Sequence, residues 1–316
     1  MKSDKPLTER MPEIESPYSV FKRTYLEIKN RAGKKPDLQT GISSIDRLIY
    51  TIPKGVCTTI AGITSHGKSA FLLQMLLHIS LTQNKVCRLI SLEDSREAFI
   101  ERLLSHITDT PNTELRKGNI QGLLKEELTK NVKTITDNLV VLDDYGYNFK
   151  EFEASILDIK PMPEIVFVDY IQLIDDSEFK SRLTTLNDFL RDCHNFAKKH
   201  HISIVFLSQI NREGAKTEKL PKLQQLQGSS RIEQISRLVI LLFWYYKEAQ
   251  FPSAIEKNIG AEDRKHLYRV HIAKNTSGPC GVVHLRFKPE VYKFEEWSFF
   301  DTDIQNYEPI NQYIGA

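Results

Sequence analysis

An eight-residue stretch with two glycines, a lysine and a serine carries the strongest chemical signal in the sequence. Gly62-Ile-Thr-Ser-His-Gly-Lys-Ser69 fits the phosphate-binding pattern G-x-x-x-x-G-K-[ST] at every fixed position. Glycines let the backbone wrap so that successive N–H groups point at phosphate oxygens near a helix N-terminus. The alternative is a glycine turn with a surface lysine, but an apolar run precedes Gly62 and another follows Ser69, as nucleotide binding requires. The residues predicted to hold ATP are Gly62, Ser65, His66, Gly67, Lys68 and Ser69.

Magnesium and an attacking water need carboxylates, and two apolar runs end in one. Asp169 closes Glu164-Ile-Val-Phe-Val-Asp169, and with the Ser69 hydroxyl it is the predicted Mg²⁺ ligand. Glu93 closes Arg88-Leu-Ile-Ser-Leu-Glu93, where a carboxylate could orient and deprotonate water. Asp169 has the alternative of capping a loop, and Glu93 that of an acid at a helix N-terminus. Spacing alone does not choose between the two roles of Glu93.

A third apolar run ends in an amide. Ile202-Ser-Ile-Val-Phe-Leu-Ser-Gln209 places Gln209 where it could hydrogen-bond a γ-phosphate and transmit that state to the next loop. Alone the signal is weak. As the third polar strand end it predicts one site at one sheet edge.

The elements that must position these residues alternate between short apolar runs and amphipathic stretches. Helices are predicted over 68–81 and 96–107. Strands are predicted over 56–61, 86–92, 139–142, 165–168, 202–207, 238–244 and 268–273. The early runs are continuously apolar, typical of strands buried on both faces, while the later ones alternate more, as edge or antiparallel strands would. The pattern predicts an α/β fold with a twisted, mainly parallel sheet and helices on both faces.

Composition excludes several classes of protein. The 316 residues include 43 Lys and Arg against 41 Asp and Glu, a net charge of +2, so a strongly basic nucleic-acid coat is excluded but a local binding groove is not. The four cysteines are widely scattered, which argues against a disulfide framework or zinc ribbon and suits a reducing cytoplasm. No segment reaches the roughly 18 apolar residues of a membrane span. We expect a cytoplasmic protein with no membrane contact.

Two further segments have the character of partner-binding elements. Tyr18–Asn30 has apolar residues near helical spacing and predicts a short amphipathic helix before a Gly/Lys/Pro linker, with a partly disordered leader as the alternative. Residues 211–223 hold four cations against two glutamates. From its charge pattern alone, such a stretch is predicted to be a solvated loop. The aromatic run Phe243–Tyr246 follows an apolar strand directly, so packing in the core or beside adenine is favoured over DNA contact.

Taken together, residues 35–297 resemble the ATPase domain of DnaB-type replicative DNA helicases, a branch of the RecA-like hexameric motors. The likeness lies in the P-loop, Ser91-Leu-Glu93, Val168-Asp-Tyr-Ile-Gln-Leu173, Leu207-Ser-Gln-Ile-Asn-Arg212, Ile232-Glu-Gln234 and Thr40-Gly-Ile-Ser-Ser-Ile-Asp46. The resemblance implies Glu93 as catalytic base, Gln209 as sensor and Lys274 as a further catalytic residue. It implies ATP and Mg²⁺ as cofactors, single-stranded DNA as partner, and contact with a helicase loader or other replication proteins. The implied DNA-binding residues are Arg212, Lys216, Lys219, Lys222, Gln227, Gly228 and Ser230.

The resemblance also implies a domain organisation. Residues 1–36 would be a leader and linker helix that docks on a neighbouring subunit of a homo-oligomer, most simply a hexameric ring. Residues 37–300 would be the RecA-like ATPase domain and 301–316 a C-terminal tail. The family's N-terminal primase-binding domain has no room before residue 18.

One departure from the family pattern bears on mechanism. The family carries Lys-x-Arg on a late strand, where the arginine reaches the neighbour's nucleotide, but here Lys274 is followed by Asn275 and Thr276. Arg269 is a poor substitute because it faces the other side of the strand, and Arg264 or Arg286 would need a rearranged loop. Two functions follow: an ATP-dependent ring helicase, or a nucleotide-gated DNA-binding assembly or helicase-loading factor with weak ATPase activity.

Overall fold

The computed structural model describes residues 16–119, 126–142, 148–169, 171, 182–210, 220–226, 230–248 and 259–297. The chain divides into two compact units, Met1–Asp37 and Leu38–Ala316. The first contains α1 (Pro17–Arg31), which begins after the Ser16 cap and buries none of its side chains. The predicted helix over Tyr18–Asn30 is therefore confirmed, with one more residue at each end.

The second unit contains a nine-stranded sheet among its described residues. The strands are β1 (Val56–Gly62), β2 (Cys87–Ser91), β3 (Leu139–Leu142), β4 (Ile165–Asp169), β5 (Ser203–Gln209), β6 (Ser236–Trp244), β7 (Leu267–Asn275), β8 (Gly281–Lys288) and β9 (Lys293–Glu296). The helices are α2 (Ser43–Ile49), α3 (Lys68–Leu77), α4 (Arg96–Thr108), α5 (Asn112–Arg116), α6 (Glu126–Asn138), α7 (Phe149–Leu157), α8 (Arg182–His200), α9 (Ser230–Ile235), α10 (Tyr245–Glu248) and α11 (Ala261–His266).

The strand order is β3-β2-β4-β5-β1-β6-β7-β8-β9. The first six strands in this order pair in parallel, and β7, β8 and β9 extend the sheet antiparallel to their neighbours. The predicted α/β class and mainly parallel sheet are confirmed. The strands β8 and β9 were not predicted, although Val283, Leu285 and Phe287 give β8 the alternating burial of an outer strand.

Helices cover both faces of the parallel part of the sheet. In β4, Ile165 and Phe167 belong to one apolar cluster and Val166 with Val168 to another. The first cluster includes side chains of α2, α3 and α4, and the second includes side chains of α7, α8 and α9. The alternation expected for the later strands is wrong for β6, which is buried at every residue except Arg237 because each of its faces packs against an apolar cluster.

The entry into the second unit is fixed by one carboxylate. The N–H and hydroxyl of Thr40 each donate to Asp46 Oδ1 at 2.8 Å, and the Gly41 N–H donates to Oδ2 at 3.1 Å. Gly41 has φ of +81°, and a Cβ there would lie 2.5 Å from Cγ of His78. His78 begins a π-helical turn, His78–Thr82, which continues α3 (Lys68–Leu77) directly, so the helix predicted over 68–81 is confirmed with a change of helix type at its end.

Cys57, Cys87 and Cys193 are buried free thiols, and Cys280 is an exposed one. None of the helices in the described segments is both long and apolar enough to cross a membrane.

Candidate active site

The P-loop joins the central strand β1 to α3. Ser65 has φ of 64° and Gly67 has φ of 81°, so two residues in the left-handed region fold the loop back over the start of α3. A Cβ at Gly67 would lie 3.1 Å from the Phe287 ring, so the close approach of β8 also favours glycine. The N–H groups of the loop, next to the N-terminus of α3, can therefore donate hydrogen bonds to phosphate oxygens.

Lys68 lies inside the loop. Its ammonium donates to the carbonyl oxygens of Gly62 at 3.1 Å and Ile63 at 3.2 Å. Burial lowers the pKa of Lys68, while the negative charges of Asp169 and Glu93 oppose that change. A buried ammonium bonded only to carbonyl oxygens among the described residues has charge left to offer an anion such as a triphosphate.

Asp169 lies at the carboxyl end of β4, two strands from β1, and is 5% exposed. Burial raises its pKa to about 6; the hydrogen bond with Ser69 lowers it, and the charges of Glu93 and Asp94 raise it. Within the described part of the chain, its Oδ1 has no hydrogen-bond partner. A buried carboxylate oxygen without a partner, joined to a serine hydroxyl, fits a Mg²⁺ ion, which prefers hard oxygen ligands.

Glu93 lies beyond the neighbouring strand end. Ser91 pairs in register with Asp169, and the Leu92 N–H donates to the Asp169 carbonyl oxygen at 2.6 Å, so Glu93 begins the turn beside the buried carboxylate. Desolvation raises the pKa of Glu93 and the Asp94 carboxylate adds to this, whereas Lys68 and Arg102 lower it. A base whose pKa moves toward neutrality is better matched to abstracting a proton from water.

An ion pair stabilises this turn, and it was not predicted from the sequence. Arg102, on α4, binds Asp94 bidentately with N–O distances of 2.5 and 2.9 Å. Ser91 Oγ also donates to the Asp94 carbonyl oxygen at 2.8 Å. The eight-residue separation of Asp94 and Arg102 gives no helical signal, because Asp94 precedes the helix. The pair fixes the backbone that carries Glu93.

His66 has its side chain in the core. Its Nδ1 accepts the Trp244 backbone N–H at 3.0 Å, so Nε2 carries the proton and donates to Glu248 at 3.1 Å. Burial lowers the pKa of His66 to about 4. The His66 carbonyl oxygen accepts from the Tyr268 hydroxyl. The predicted phosphate-binding part of His66 is thus restricted to its backbone, and its ring ties the P-loop to β6.

Gln209 ends β5 in register with Gly62. Ile210 follows it and pairs with Leu226. Lys222 is exposed, and Ser230 is the exposed first residue of α9. Five predicted DNA-binding residues lie outside the described segments: Arg212, Lys216, Lys219, Gln227 and Gly228.

Lys274 lies near the end of β7, two strands from β1. It pairs with Val239 near the start of β6, and its Nζ donates to the Glu233 carbonyl oxygen at 2.6 Å. Val239 in turn pairs with Thr59, three residues before Gly62, so Lys274 lies about 10 Å back from the P-loop along the strand direction. The structure therefore does not bring Lys274 together with Lys68, Asp169 and Glu93.

The aromatic run is mostly core, as predicted. Phe243, Trp244 and Tyr245 are buried, whereas Tyr246 is 49% exposed. His66 lies 5.5 Å from the Phe243 ring, centroid to centroid.

The sheet order, the P-loop between β1 and α3, and the buried carboxylate ending β4 define a RecA-like P-loop fold. Comparisons with known proteins agree. One solved structure, that of an ATPase domain, superposes with a TM-score of 0.74 at 24% identity, covering 89% of this chain and 99% of that one. A DnaB-like replicative helicase, in a structure that describes its interactions with primase, also gives a TM-score of 0.74 at 24% identity, over 90% of this chain and 67% of that one.

The family model for the DnaB-like helicase C-terminal domain matches residues 37–296, and the chain belongs to that family. Among its relatives is a probable replicative DNA helicase of Trieres chinensis, 26% identical over 92% of this chain and 64% of that protein. Another is the replicative DNA helicase DnaC of Bacillus subtilis, 25% identical over 85% of this chain and 58% of that protein. The chain thus spans 58–64% of the length of these two curated relatives.

Proposed function

We propose that this chain is an ATP-hydrolysing replicative DNA helicase that moves along single-stranded DNA as a homo-oligomeric ring, most simply a hexamer. The observation that carries the proposal is the triad of Lys68, Ser69 and Asp169. A buried ammonium and a buried carboxylate with an unpartnered oxygen face one loop, which suits a magnesium-bound triphosphate. Family membership and the names of the relatives support DNA unwinding as the use of that chemistry.

Each residue of the candidate active site has its own role in ATP hydrolysis. Backbone N–H groups of the P-loop and the Lys68 ammonium hold the phosphates, and Ser69 with Asp169 would hold Mg²⁺. When bound, Mg²⁺ neutralises charge on the β- and γ-phosphate oxygens. Glu93 orients a water and takes its proton, and the Arg102–Asp94 pair keeps Glu93 in place. Gln209 senses the γ-phosphate at the P-loop edge.

Coupling to DNA uses the segment that follows Gln209. Ile210 follows Gln209 and pairs with Leu226, so a movement of Gln209 is passed to the described stretch 220–226, which carries Lys222. The proposed grip is on the phosphate backbone and is largely independent of sequence. Repetition of these cations around a ring would strengthen it.

The test is steady-state ATP hydrolysis with and without single-stranded DNA. We expect strong stimulation by DNA in the wild type and loss of turnover in Lys68→Ala. Lys150→Ala, which removes an exposed lysine from α7, is the matched control and should behave as wild type. Retained ATP binding with DNA-insensitive, near-basal turnover would instead favour the nucleotide-gated loading factor, for which Thr276 is the supporting feature. Absence of ATP binding would contradict both functions.

A further inference from the structure

An exposed arginine at the sheet edge opposite the P-loop is not used by the candidate active site. Arg237 is the second residue of β6 and is the exposed position of a strand otherwise buried throughout. Its carbonyl oxygen accepts the Thr276 N–H at 3.0 Å, so Arg237 and Thr276 are neighbours across the β6–β7 pair. Lys274, two residues before Thr276, belongs to the same edge.

The surroundings of Arg237 are positively charged. Burial lowers the pKa of His194, and the charges of Lys198, Arg237 and Arg231 lower it further, so these cations lie close together. In the described segments, no carboxylate forms an ion pair with Arg237 or Lys198. Like charges this close repel one another, and an anionic ligand relieves that repulsion.

Arg237 cannot serve the P-loop of its own chain. Leu242 pairs with Gly62, and Arg237 lies five residues earlier on β6, about 17 Å away along the strand. The side chain would have to span this distance along the strand, well beyond the length of an arginine. Arg237 can therefore reach a nucleotide in a P-loop only if another copy of the chain holds that nucleotide.

Three other arginines of the fold are occupied or badly placed for phosphate. Arg102 is bound to Asp94, and Arg286 is bound to Asp263. Arg269 is 2% exposed within the sheet. Hydrolysis nevertheless builds charge on the γ-phosphate that an arginine commonly neutralises, in cis or in trans. Of these four arginines, only Arg237 is exposed.

We propose that Arg237 is a catalytic residue acting in trans, with its guanidinium on the γ-phosphate of ATP held by the P-loop of the next copy. Arg237 would supply the guanidinium that this chain lacks at Thr276, and it lies on the adjacent strand, β6. The inference rests on the proposed function, because it needs copies arranged head to tail with ATP at their interfaces. A planar guanidinium suits phosphate oxygens better than the ammonium of Lys274 does.

In the hydrolytic step, the water oxygen forms a bond to the γ-phosphorus while the bond from that phosphorus to the β,γ-bridging oxygen breaks. The electron pair remains on ADP, and the water proton passes to Glu93 of the chain that holds the nucleotide. Arg237 of the adjoining chain stabilises the charge on the transferring phosphoryl group and is itself unchanged.

The experiment combines single variants with a mixture of two inactive ones. Arg237→Ala should lower ATP turnover about 10³-fold or more while nucleotide binding is kept. Arg47→Ala is the matched control, since Arg47 is an exposed arginine on α2, next to Leu48, whose carbonyl lies near the same β7–β8 turn. Mixing Arg237→Ala with Lys68→Ala before assembly should restore turnover, because in a random equal mixture about a quarter of head-to-tail interfaces join an intact P-loop to an intact Arg237. Adding Thr276→Arg to Arg237→Ala should also raise turnover, because it restores a guanidinium beside position 237, next to the end of β7.

Each outcome decides one point. Full turnover in Arg237→Ala, an equal loss in Arg47→Ala, or no recovery in the mixture would overturn the role of Arg237. A wild type that binds ATP but does not hydrolyse it would overturn the proposed function before Arg237 is tested. Recovery in the mixture also shows that both variants fold and assemble, so a folding defect cannot imitate the expected result.

Discussion

Lys274 Nζ lies 2.6 Å from the carbonyl oxygen of Glu233, so the end of β7 is tied to α9. That helix begins at Ser230, directly after residues predicted to bind DNA. The contact connects the edge that carries Arg237 with the segment proposed to grip DNA. It gives a physical route by which DNA could influence hydrolysis at a subunit interface.

Lys274→Met should therefore reduce the DNA-stimulated rate of ATP hydrolysis more than the basal rate. A hydrogen bond with one charged partner contributes about 1.5–3 kcal/mol. Its loss should therefore lower the equilibrium constant that favours the observed position of α9 about ten- to a hundredfold. The measurement is turnover across a single-stranded DNA titration, with Lys288→Met on β8 as the control. An equal loss of basal and stimulated rates would point to a direct catalytic role for Lys274.

His66→Phe should destabilise the P-loop. The buried Trp244 N–H would lose its acceptor, which costs about 1–3 kcal/mol. We expect a lower free energy of unfolding in urea and weaker nucleotide binding by calorimetry. Glu248→Gln keeps an acceptor for Nε2–H and should stay close to wild type. If both variants lose the same affinity, the Glu248 charge matters more than the His66 geometry.

Gly41→Ala should be strongly destabilising, because a left-handed φ and a steric clash with His78 act together. A left-handed conformation costs an alanine about 1–2 kcal/mol, and overpacking adds about 1–3 kcal/mol. Gly118→Ala is the matched control: φ is +82° and no atom lies within 4 Å of its Cβ position. Urea unfolding should show the larger loss at Gly41. Equal losses at the two sites would show that His78 moves aside freely.

Asp169→Asn should stabilise the chain at neutral pH in EDTA without nucleotide. Burial raises the pKa of Asp169 from 3.8 to about 6, so the folded state prefers the protonated acid. The stability this gives is complete below pH 4 and is lost as pH rises through 6, at most about 3 kcal/mol. Urea unfolding should therefore favour Asp169→Asn at pH 7.5, and about half as strongly at pH 5. The exposed Glu290→Gln is the control; a destabilised Asp169→Asn at both values would contradict the argument.

Much of the site was predictable because its residues sit at strand ends, where apolar runs stop at Gly62, Glu93, Asp169 and Gln209. Continuous runs identify buried parallel strands, and the P-loop spacing identifies the strand–loop–helix unit. Contacts between distant segments were not predictable: the Arg102–Asp94 pair and the His66–Trp244 bond depend on how α4 and β6 pack. The strands β8 and β9 were missed because alternating apolar residues near a Gly/Pro turn give a weak signal.

The central claim is that ATP hydrolysis at this site drives strand separation, and unwinding of a forked DNA duplex tests it most directly. We predict strand separation by the wild type with ATP and Mg²⁺, none with Glu93→Gln, and retained ATP binding in that variant. Glu97→Gln, in the first turn of α4, should unwind as wild type does. Equal unwinding by Glu93→Gln and wild type, or DNA-stimulated hydrolysis without any strand separation, would contradict the account.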